Sequence, residues 1–138
     1  METGFALASL DPDAEDRFVS LRRRLGVTSF GINQVLLRPG QRGRIHRHEH
    51  QEEVYLVISG TLTLWIEGEP HELNEGDLAR VAPDLRRQLA NPHREDVILL
   101  ALGGAHVHVG RDGEAFTSWS DSDGAPPQEV PLPDDEPV

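Results

Sequence analysis

His46 and His48 stand two residues apart in a stretch that reads as a β-strand, so both imidazoles leave the same face of the chain. Five residues after His48, Glu53 opens an apolar, β-branched run from Val54 to Ile58, which the pattern predicts to be the returning strand of a hairpin. Two imidazoles and a carboxylate brought together this way are the donor types that suit zinc, iron, manganese, nickel or copper. His46, His48 and Glu53 are therefore the candidate ligands of a divalent transition metal.

The other histidines are weaker candidates. His50 shares the parity of His46 and His48, so it faces inward as a substitute ligand if the strand continues, and is a loop residue if the turn has begun. His106 and His108 also share a face, on a strand expected over residues 106–109, and read as surface or interface histidines. His71 and His93 lie in or beside turns.

These residues need a scaffold to position them. Asp11 as cap, Pro12 at the first helical position, early acids and late arginines (Arg22 to Arg24) predict a helix over residues 11–25, closed by Gly26. Ala14, Phe18, Leu21 and Leu25 would form its apolar stripe. Beyond it, strands are expected over residues 30–37, 61–66, 71–73, 78–81, 86–90 and 97–102, besides the histidine hairpin. Short strands with turns about every eight to twelve residues predict an all-β barrel or sandwich. The chain divides into an arm over 1–10, a barrel domain over 11–120 that includes the helix, and a tail over 121–138.

Composition narrows the function classes. With no cysteine, disulfides, thiolate metal sites and cysteine nucleophiles are excluded. A net charge of −11 would repel phosphate backbones and anionic lipid, so neither nucleic acid nor membrane is an expected partner. No apolar run approaches the ~20 residues that span a bilayer, and no leader pattern opens the chain, so a cytoplasmic location is expected. The tail holds five of the ten prolines and six acids with no base. It has too little apolar surface to offset its ordering entropy unless it lies along the body or a partner.

The run Gly40, five residues, His46, one, His48, four, Glu53, six, Gly60 resembles the first signature motif of the cupin superfamily without a gap. The resemblance covers roughly residues 30–103. It implies a small antiparallel β-barrel of jelly-roll type with the metal inside one mouth. The family's second motif is only partly present: Gly76 and Asn91 match, Ala82 and Asp84 replace a proline and a glycine, and Arg87 occupies the position of the fourth ligand, a histidine. Arginine has no lone pair to donate. Arg87 would then either pair with Glu53 or hold an anionic substrate.

Arg87, Tyr55 and Arg44 are accordingly the candidate ligand-binding residues. The expected function is binding of a metal and a small anionic organic molecule, with dioxygen-dependent oxidation or isomerisation as the chemistry. The rival is a binding module in which Arg87, Arg44 and the histidines hold a carboxylate or phosphate. A metal-free sugar-modifying enzyme would need a partner acid that no motif supplies. Strands apolar at both parities, such as Val54 to Ile58, together with Phe116 and Trp119 ahead of the tail, predict a homodimer.

Overall fold

The computed structural model describes residues 4–104 and 112–138. Among these, ten strands form two five-stranded antiparallel sheets. β1 (Phe18–Ser20), β2 (Gly31–Leu37), β9 (Val97–Gly104), β4 (Glu52–Ser59) and β7 (Leu78–Val81) lie in that order in the first. β10 (Gly113–Phe116), β3 (Ile45–His48), β8 (Arg87–Ala90), β5 (Leu62–Ile66) and β6 (Glu69–Leu73) make the second. This is the expected jelly-roll barrel. The core between the sheets is built from alternate residues such as Val35, Leu37, Val57, Leu62, Leu64 and Leu99, each 2 % exposed or less. The strand expected over 106–109, with His106 and His108, lies outside the described residues.

Two glycines of the motifs have a steric reason. Gly40 and Gly60 have φ of 85° and 80°, and a Cβ at either would run into a backbone carbonyl, of Glu136 and Asp96 respectively. The asparagine of the second motif is structural as well. Buried Asn91 donates to the Leu37 and Glu95 carbonyls at 2.9 and 2.7 Å, tying the turn after β8 to β2.

The helix expected over 11–25 is corrected to a single α-helix, α1, over Leu21–Leu25. Its cap is Ser20, whose Oγ accepts from Arg23 N at 3.2 Å, while Gly26 closes it with φ of 75°. Asp11 caps only an isolated turn, through Asp13 N at 3.1 Å. Residues 18–20 run as an edge strand instead, because β2 offers them a backbone partner, with Phe18 opposite Val35. Gln34 reinforces this by exchanging two hydrogen bonds with the Asp11 backbone, at 2.6 and 2.7 Å. Long-range pairing thus overrides a valid local helix pattern.

The acidic tail lies along its own barrel. Ala125 bridges Ala115 through backbone bonds of 2.8 and 3.0 Å, Val130 is buried, and Glu136 N donates to the Gly40 carbonyl at 2.8 Å. Asp135 and Glu136 meet Arg17 and Arg42 at 3.2 and 3.1 Å. Phe116 is buried in the same barrel, with the Arg86 guanidinium 3.6 Å from its ring centre. No helix among the described residues is long and apolar enough to cross a membrane.

Candidate metal centre

β3 is the central positioning element. It lies between β10 and β8, with His46 opposite Ala115 on one side and Arg87 on the other, and His48 opposite Gly113. The two rings meet edge to face, with centroids 5.3 Å apart. Glu53 enters from the start of β4, where its partner on β9 is Gly103. His46 Nε2 lies 3.3 Å and His48 Nε2 3.1 Å from Glu53 Oε1, and the three form a group that could hold a metal ion.

The fit can be tested by geometry. Donors bonded to one ion at ~2.0–2.2 Å stand about 3.0 Å apart at right angles and about 3.4 Å apart at the tetrahedral angle. The two measured separations fall between these limits. His48 Nε2 is buried and close to Glu53 without being aligned on it for a hydrogen bond. That is the arrangement of two donors aimed at a shared third point.

Both ring tautomers are set from behind. His46 Nδ1–H donates to the Arg44 carbonyl at 3.2 Å, and His48 Nδ1–H to Asp112 Oδ1 at 2.7 Å. Neither acceptor carries a hydrogen, so each can hold the ring proton on Nδ1 and leave Nε2 its lone pair in the neutral ring, although His46 Nε2 also stands within hydrogen-bond reach of Glu53 Oε1 at 3.3 Å. Asp112 is itself fixed, its other oxygen accepting from His50 N and Gln51 N, both at 2.8 Å.

The charges agree with this frame. Burial pulls the His48 pKa down, but contact with Glu53 and Asp112 outweighs it and holds the group above its ordinary value, against an opposing push from Arg87. Burial alone would raise Glu53, yet the contacts and charges of His46 and His48 keep its carboxyl well below the usual range. Asp112 is likewise lowered, its burial outweighed by the His50, His48 and Gln51 hydrogen bonds. Tyr55 donates its hydroxyl to Glu53 Oε1 at 2.7 Å, and burial with the Glu53 charge pushes its pKa well up.

Arg87 reaches Glu53 from behind. Its Nε lies 3.3 Å from Glu53 Oε1, while Nη1 donates to the Pro83 and Leu85 carbonyls at 3.0 and 2.6 Å. The side chain is 0 % exposed. It therefore sits as a countercharge to the carboxylate, not on the cavity surface. His50 stays outside the cluster, with its side chain 63 % exposed beside Glu49.

Against the triad lies a chamber of about 340 Å³ at the seam between the sheets, with Tyr55 and Arg44 among its lining residues. A larger and more polar hollow of about 640 Å³ meets His48 and Glu53 from the mouth side, beside Gln51, Asp112 and Gln128. Sequence reasoning missed Asp112, Asn33, Phe18 and Pro127 as parts of this site. Asp112 arrives through β10 pairing and Pro127 through the tail, and no local spacing announces either. Phe18 was hidden by the helix pattern. Asn33 could have been found from its parity with Val35 on β2.

The protein-family model described as "Cupin domain" matches residues 33–103. Among solved structures, a cupin protein from Bacteroides fragilis is similar at 27% identity and a TM-score of 0.66, over 79% of this chain and 90% of that one. A sugar phosphate isomerase of the cupin superfamily from Silicibacter pomeroyi is 26% identical with a TM-score of 0.64, over 73% of this chain and 65% of its own. The cupin domain of an XRE family transcriptional regulator from Enterobacter cloacae is 25% identical with a TM-score of 0.59, over 67% and 100%. No curated protein matches the chain significantly.

Proposed function

Because the chain belongs to the cupin family, we propose that it is a metal-dependent enzyme acting on a small anionic organic molecule. His46 Nε2, His48 Nε2 and Glu53 would hold the divalent ion. The observation that carries this is that His46 Nε2 and His48 Nε2 stand 3.3 and 3.1 Å from Glu53 Oε1, all three donors lying within 4.8 Å of one another, with an acceptor behind each Nδ1. Bound there, a divalent transition metal supplies Lewis acidity and a template for substrate oxygen atoms. Three protein ligands leave positions open for that substrate.

The chain's own residues do the rest. Arg44 and Asp112 keep the imidazole lone pairs facing inward. Tyr55 fixes the Glu53 carboxylate, and its raised pKa keeps its proton in place. Val35, Leu89 and Ala101 give the seam side an apolar lining. Oxidation by dioxygen and isomerisation are the reactions such a centre would serve. The contact between Arg87 Nε and Glu53 favours one other reading, a non-catalytic ligand-binding cupin whose metal site is weakened by the guanidinium. A second copy of the chain is proposed as its protein partner.

Elemental analysis of the purified protein separates the two. The enzyme reading expects about one transition metal per chain, lost in the His46→Ala/His48→Ala double variant and kept in His50→Ala. Full occupancy in the double variant would remove the proposed ligands.

A further inference from the structure

The 340 Å³ chamber differs from the hollow on the other side of the triad in being lined mainly by apolar side chains. Its walls are Phe18, Val35, Leu89, Ala101 and Pro127, none of which offers a side-chain hydrogen bond. Tyr55 adds a ring whose hydroxyl is already given to Glu53. The polar side chains left are Asn33 and Arg44, apart from the triad itself. Arg44 donates through Nε to the Val130 carbonyl, which anchors the stem and orients the guanidinium at the chamber wall.

These features select a ligand. A divalent ion on one carboxylate leaves net positive charge, and Arg44 adds a second cation, so the charged end of the ligand is an anion. The rest is apolar, because Phe18, Val35, Leu89, Ala101 and Pro127 offer a ligand hydroxyl no side-chain partner and gain from covering hydrocarbon. The volume is near the low end for small-molecule sites. Resting on the metal-binding reading above, we propose that the chamber takes a small monocarboxylate with an aromatic or branched hydrocarbon body. Its carboxylate lies between the ion and Arg44, and its body lies against Phe18, Val35 and Leu89. Polyhydroxylated phosphates are excluded from this chamber.

Calorimetric titration of the full chain, both cobalt-loaded and metal-free, tests this with phenylacetate, 4-methylpentanoate, acetate and a hexose 6-phosphate. Phenylacetate and 4-methylpentanoate should bind at least tenfold tighter than acetate and than the sugar phosphate. Phe18→Ala, at a half-exposed side chain and so safe for folding, should erase the advantage over acetate. Arg44→Gln should weaken both carboxylates about tenfold, with recovery in Arg44→Lys. Tighter binding of the hexose phosphate, equal binding of acetate, or indifference to Arg44→Gln overturns the assignment. Cobalt stoichiometry is read separately. A protein that takes up no cobalt yet ranks the ligands as stated retains the ligand class and loses the metal.

Discussion

Arg87 is the residue on which the metal affinity turns. A fully buried guanidinium beside Glu53 neutralises the carboxylate before any ion arrives, and it opposes the ion afterwards. Arg87→Met should therefore tighten metal binding, by tenfold or more in competition against a chelator. Arg87→His, opposite His46 in register, should tighten it further by adding a donor. The metal-free protein should meanwhile lose about 3–5 kcal/mol in Arg87→Met, since Glu53 is left without its countercharge. Denaturant unfolding with and without zinc reads both effects, and unchanged chelator competition would mean that the guanidinium charge is not felt at the site. A pH dependence follows from the neighbouring groups. The raised His48 pKa contributes stability below its ordinary 6.5, lost as pH rises through the folded value. The lowered Glu53 pKa contributes above its ordinary 4.5, lost as pH falls through the folded value. Metal-free protein should thus melt highest between about pH 4.5 and 6.5, and Asp112→Asn should flatten the alkaline side of that maximum. Metal affinity runs the opposite way, rising with pH as the imidazoles deprotonate. Thermal melts in chelator across pH 4 to 8 give the first curve, and a profile level from pH 5 to 8 would contradict the His48–Glu53–Asp112 cluster.

Among the elements, the tail has the largest effect for its size. It forms one short 3₁₀ turn, Pro127–Glu129, yet it carries Pro127 to the chamber, Val130 to the Arg44 side chain and two acids to barrel arginines. Ending the chain at Ser120 should cost about 2–4 kcal/mol, one buried valine plus exposed ion pairs worth little each. It should also speed release of bound metal to a chelator, and release at the full-length rate would show that the tail does not shield the centre. The hairpin was legible in the sequence for the same reason that the tail was not. His46, His48 and Glu53 are joined by a strand parity and a turn, both local, so their meeting needs no knowledge of the rest of the fold. The strands with long apolar runs, β4 and β9 among them, were similarly plain. Asp112 and Pro127 reach the site through pairings with β3 and β10 that no spacing encodes. The segment over 11–20 carried a sound helix pattern and lost it to an edge position on β2, a competition that only the assembled sheet decides.

At the scale of the whole molecule, the outer face of the first sheet is only partly covered, most open at β7. Leu100 stands opposite Leu56, and Leu56 opposite Leu78, in one row across β9, β4 and β7, with Leu102 and Val54 paired beside it. Leu78 is 66% exposed, and the N-terminal arm, held at Asp11 on Gln34, leaves Leu7 82% exposed. The segment near Trp119, expected to cover its own barrel or a partner's, meets its own barrel through Arg86, whose Nη1 donates to the Trp119 carbonyl, and the first sheet offers a second face. Three strands ~4.8 Å apart and ~18 Å long make an apolar face of roughly 260 Å² in projection, approaching the few hundred Å² at which exposed patches mark an interface. A second copy suits it best, because a row of leucines is complementary to itself about a two-fold axis and the charged pair Arg80–Glu52 lies at the margin. With the arm contributing Leu7, the dimer should bury about 1,200 Å² or more in total, the lower range of stable interfaces. Light scattering at micromolar concentration should give twice the 15.3 kDa chain mass. Leu78→Asp should return it to one chain without loss of bound metal, since this face lies across the sheet from the triad. A wild-type mass of one chain at every concentration would mean that this leucine row is tolerated in water, and the dimer would be abandoned.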